Sequence, residues 1–75
     1  MDQRDRDFIQ ENADKDPELK SLWEDHILLS KQVDKLESKP FRNPTEEQSL
    51  RQLKKQKLEA KTRLADRIDA LRAAQ

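Results

Sequence analysis

The chain has no cysteine and no glycine, and it holds only three prolines and three aromatic residues. Without cysteine, neither a disulfide framework nor a thiolate metal site can form, and the composition fits a reducing compartment. Tyrosine is absent and valine occurs once, so strand formers are scarce and the composition is helical. Few aromatics also means few platforms on which bases could stack. The formal net charge is zero, with 16 basic and 16 acidic side chains, so the chain lacks the basic excess usual in nucleic-acid-binding proteins. No apolar run approaches the length of a membrane span. The opening MDQRDRDF lacks the basic-then-apolar order of a signal peptide, so a soluble cytoplasmic protein with no membrane partner is expected.

What remains is a chain of 75 residues, long enough for one small domain. Charged residues make up 43% and hydrophobic ones 32%, a mixture that suits either disorder or long helices, and periodicity has to decide. Pro17 and the Pro40–Pro44 pair divide the chain into three pieces. Asp16-Pro17 reads as an N-cap followed by proline at the first helical position. From there Leu19, Leu22, His26, Leu29, Val33 and Leu36 recur at alternating steps of three and four, a heptad seam with one polar member. Pro40 ends that helix near Ser38, giving a helix over about 17–38.

A second start follows at Asn43-Pro44-Thr45-Glu46, a capping box with proline at N1. Leu50, Leu53, Lys57, Ala60, Leu64 and Leu71 then continue the seam, flanked by Ile68, and predict a helix over about 45–73. The linker 39–44 is too short to let the helices separate, so they should pair antiparallel. Facing positions then have a constant sum: Leu36 meets Leu50, Val33 meets Leu53, Leu29 meets Lys57, Leu22 meets Leu64, and His26 meets Ala60. Phe41 is expected to fold back over the closed end. Residues 1–15 carry one sticky spot, Phe8-Ile9, and read as a short helix docked on the open end or a frayed arm. The expected fold is all-α: an antiparallel, coiled-coil-like two-helix hairpin over 16–75, with a possible short N-terminal helix, assembling into a bundle.

The order Leu19, Leu22, His26, Leu29, Val33, Leu36-Glu37, then Leu53-Lys54-Lys55-Gln56-Lys57-Leu58-Glu59-Ala60-Lys61, resembles the YdcH-like family of short bacterial proteins. The likeness covers roughly residues 16–71. It implies a helical hairpin with one marked histidine in its first helix and a Leu-Lys-rich opening to its second. It implies no activity, because that family has no assigned function.

His26 is the one side chain that invites a catalytic or metal reading. A metal site needs converging ligands, and there is no second histidine. A general base needs a cleft and a partner, which a two-helix hairpin does not supply. His26 is therefore read as a seam residue that sets register, and no catalytic residue, cofactor or metal is expected. Charge is segregated: residues 1–38 carry 6 basic and 11 acidic side chains, while residues 51–72 carry 8 basic and 3 acidic. Lys54, Lys55, Lys57, Lys61 and Arg63 could serve nucleic acid, the alternative reading, but they also complement an acidic first helix. Finally, Trp23 and Ile27 of the first helix and Leu58, Ala65 and Ile68 of the second fall on one flank of the heptad wheel. A single seam is thin for ordering a chain this long, so this flank is expected to be an interaction face. Trp23 would anchor a two-fold four-helix bundle or the docking of another helical protein. The expected function is a non-catalytic helical interaction or assembly module.

Overall fold

In the computed structural model, residues 2–74 are described and form α1 (Gln3–Asn12), α2 (Pro17–Glu37) and α3 (Pro44–Ala73), with no strand among them. Met1 and Gln75, the outermost residues of the two expected segments, lie outside the described residues. Each helix begins where a side chain takes up an otherwise orphaned backbone N–H. The Asp2 carboxylate accepts from the Asp5 N–H, and the Asp16 carboxylate accepts from the Leu19 N–H at 3.0 Å. At α3 the capping box is complete: the Asn43 side chain accepts from the Glu46 N–H at 2.7 Å, and the Asn43 N–H donates to the Glu46 carboxylate at 3.3 Å. Pro17 and Pro44 occupy the first helical position, where the missing N–H removes nothing from the ladder.

Helices α2 and α3 pack along each other. Glu37, at the end of α2, reaches Lys54 near the start of α3 at 3.2 Å, whereas Asp16, capping α2, reaches Arg67 near the end of α3 at 2.6 Å. Contacts in that reversed order run the two helices antiparallel. The seam positions follow the expected stripe: Leu19, Val33, Leu50, Leu64 and Ile68 are buried. Leu22, His26, Leu29, Leu36, Leu53, Lys57, Ala60 and Leu71 are half-buried.

The core is concentrated at the open end, where α1 lies across both long helices. Phe8 and Ile9 of α1 join Leu19, Leu64 and Ile68 in one buried cluster, with Ala13, Leu22, Trp23 and Leu71 packed around it. The short N-terminal helix is therefore docked rather than frayed, and it closes over apolar surface that the hairpin leaves uncovered. Asp5 reaches Arg72 at 3.2 Å, and the Arg72 guanidinium lies 4.9 Å from the centre of the Phe8 ring, clipping α1 to the end of α3.

The closed end differs from expectation. Phe41 is 88% exposed and does not fold back over the hairpin. Arg42 takes that place: its Nη1 donates to the Leu36 carbonyl at 3.3 Å and its Nε to the Glu47 carboxylate at 2.7 Å. A cation at the C-terminal carbonyls of α2 satisfies acceptors that an aromatic ring could not. Lys39 pairs with Glu46 across the same turn.

Candidate functional site

The side of the molecule that carries α1 also carries most of the flagged residues. On α3, Leu58, Lys61, Ala65 and Ile68 follow one another at helical spacing and form one stripe. Ile68, at its open-end limit, is 1% exposed because it lies in the buried cluster with Phe8 and Ile9 of α1. Ile68 is thus unavailable to a partner, a correction to the five-residue face. The heptad wheel places it on a flank, but it cannot show that an N-terminal helix is folded onto that flank. Trp23 is half-buried against the same cluster, so it belongs more to the chain's own packing than to an exposed anchor. Ile27 and Ala65 are half-buried, while Leu58 is 65% exposed.

Leu58 sits in a groove of about 320 Å³ lined by Val33, Glu37, Lys54, Lys57, Leu58 and Lys61. The apolar face and the basic residues, considered separately in the sequence, therefore converge on one surface. Val33 and Glu37 form the α2 wall, a role that neither the heptad seam nor the charge balance reveals. Lys54 is paired with Glu37, but among the described residues Lys55, Lys57, Lys61 and Arg63 have no carboxylate within salt-bridge distance.

The five basic residues do not form one patch. Arg63 is two residues beyond Lys61, about 200° round the helix, and lines grooves on the other side of the hairpin with Leu22, Asp25, Leu29 and Ala60. Lys55 is about 100° from Lys54 and is exposed.

His26 stands beside the groove. Its ring stacks on Trp23 with centroids 5.7 Å apart and planes 15° from parallel. Its Nδ1 is buried without a hydrogen-bond partner. Burial, with Lys57 and Lys61 nearby, holds the imidazole pKa below the ordinary 6.5. Such a ring favours its neutral form, as a seam position requires. No group of three His, Cys, Asp or Glu residues that could hold a metal ion occurs among the described residues.

At the open end Arg67 bridges Asp16 at 2.6 Å and Glu18 at 3.4 Å, a pairing that the capping motif did not reveal. Hydrogen bonds from the Leu19 N–H and from Arg67 hold the Asp16 carboxyl below its usual range, and Arg67 is raised in turn by its hydrogen bond to Asp16. Asp16 thus serves two roles, capping α2 and tying it to α3.

A family model described as a protein of unknown function, DUF465, matches residues 19–71. The YdcH-like resemblance is consistent with that family. No curated protein and no solved structure matches the chain.

Proposed function

The chain belongs to the DUF465 family of unknown function, and from that premise we propose that it is a non-catalytic, cytoplasmic helical module that binds another helix along its α2–α3 face. The observation that carries this reading is Leu58: a large apolar side chain 65% exposed in a groove between two helices, next to a face the chain already uses to dock α1. Exposed apolar surface in a concave, charged-rimmed setting is the usual form of a helix-binding groove. The occupant is a second copy of the chain, giving a helical bundle, or a different helical protein.

Nucleic-acid binding is the second reading, favoured by the five basic side chains of α3 (Arg51, Lys55, Lys57, Lys61 and Arg63) that have no carboxylate within salt-bridge distance among the described residues. The divergence of Lys55 and Arg63 from Lys57 and Lys61 round the helix counts against it, because a phosphate backbone rewards a continuous basic stripe. Titration with duplex DNA and RNA at two salt concentrations, run beside sedimentation equilibrium of the chain alone, separates the readings. The module reading expects at most weak nucleic-acid binding. Tight binding that weakens steeply with salt would replace it with the second reading.

A further inference from the structure

This side of the molecule already holds one helix, α1. Residues 2–12 contain four Asp or Glu and two Arg, so α1 is an acidic helix. It docks through an adjacent apolar pair, Phe8-Ile9, and places the Asp5 carboxylate against a basic residue of α3, Arg72. The buried cluster that receives α1 ends at Leu64 and Ile68 on α3. Toward the closed end, the α3 wall of the groove runs from Lys54 to Lys61, about 10 Å at 1.5 Å per residue. It offers related chemistry: exposed Leu58, with Lys57 and Lys61 beside it, neither of which has a carboxylate within salt-bridge distance among the described residues.

We propose that the groove beside Leu58 docks an acidic amphipathic helix of a partner protein, its apolar stripe on Leu58 and its carboxylates on Lys57 and Lys61. This deepens the module reading and rests on it. Charge complementarity selects the partner: two unpaired ammonium groups beside an apolar contact favour carboxylates flanking an apolar stripe, and like charges there would be repelled. Nucleic acid fits less well, because the exposed centre of the groove is aliphatic and no aromatic side chain lines it for a base to stack on. A helix of about two turns spans the α3 wall, and one of about four turns leaves a turn at either end.

The test uses the full chain and a labelled, N-capped helical peptide of about four turns, with leucines on one face flanked by glutamates. A second peptide replaces the glutamates with lysines. Fluorescence anisotropy should show binding of the glutamate peptide, weaker binding at high salt, and no binding of the lysine peptide. Leu58→Glu should abolish binding, and the Lys57→Glu/Lys61→Glu pair should weaken it at least about tenfold. Arg63→Glu makes one of the same charge changes on the opposite side of α3 and should leave affinity within about twofold. Circular dichroism checks that each variant remains helical.

Equal loss in Arg63→Glu would mean unspecific charge attraction and would overturn the proposal, as would equal binding of the two peptides or failure of both to bind. Preferential binding of duplex DNA over the glutamate peptide would also overturn it. If the chain self-associates without peptide and Leu58→Glu abolishes that, the groove belongs to a second copy. The partner-helix proposal then fails while the module reading stands.

Discussion

His26 is stabilised in its neutral form by three features at once. Burial withdraws its ring from water, its Nδ1 is enclosed without an acceptor, and Lys57 and Lys61 lie near enough to oppose a positive charge. Protonation would place a new N–H where nothing accepts it. Because the folded pKa is lowered, the unfolded chain binds the proton more readily. The stability due to neutral His26 is therefore fully present above the unfolded value of 6.5, and it is lost as pH falls through the folded pKa. Thermal melts should show declining Tm below neutrality, and His26→Leu should remove that decline while keeping helicity. An NMR titration that places the folded pKa above the unfolded one would reverse the sign and remove this account. Asp16 acts in a more acidic window: its lowered carboxyl contributes above the unfolded value of 3.8 and loses its contribution as pH falls through the folded pKa.

At the scale of elements, the helix boundaries depend on a few local side chains. The Asn43 capping box joins two reciprocal hydrogen bonds with proline at N1, all within four residues. Asn43→Ala should cost about 1 kcal/mol in denaturant unfolding, and an unchanged midpoint would show that Pro44 alone sets the start of α3. These starts were readable in the sequence because capping is a contact between residues three apart. The seam was readable because helical periodicity reports a face, and every predicted seam position is buried or half-buried. Docking was not readable in the same way. Whether Phe8-Ile9 folds onto Ile68 depends on residues about sixty positions apart, and periodicity within α1 carries no information about where α1 lands. The exposure of Phe41 has a related reason. Hydrophobicity alone favoured covering the turn with the ring, whereas the open carbonyls of α2 called for the Arg42 guanidinium. The candidate groove was half legible: Leu58 and the lysines were each singled out, but only packing put them with Val33 and Glu37 in one concavity.

For the whole molecule, opposite charge on the two long helices acts through specific pairs rather than as a general field. Lys54 meets Glu37, whereas Lys55 meets no carboxylate within salt-bridge distance among the described residues. Lys54→Glu should lower the unfolding free energy at low salt by an amount on the order of 0.5 kcal/mol and less at high salt, while Lys55→Glu should leave it unchanged. Apolar cover is the larger matter. Leu19, Leu64 and Ile68 are buried because α1 supplies the third layer that two helices lack. Phe8 and Ile9 are the part of α1 that provides it, so removing residues 1–15 uncovers a continuous apolar patch at the open end. A chain so truncated has two ways to restore cover: partial unfolding, or association that brings the same patch of two copies together about a two-fold axis. Linkage to association makes stability depend on concentration, whereas an intramolecular cover does not. The truncated chain should therefore lose helicity on dilution and regain it when concentrated, with a rise in Tm steeper than that of the full chain over the same range. Circular dichroism melts across a hundredfold dilution series, with sedimentation equilibrium at its upper end, measure this directly. If truncated and full chains melt alike at every concentration, α1 is not the cover that the packing at Ile68 indicates.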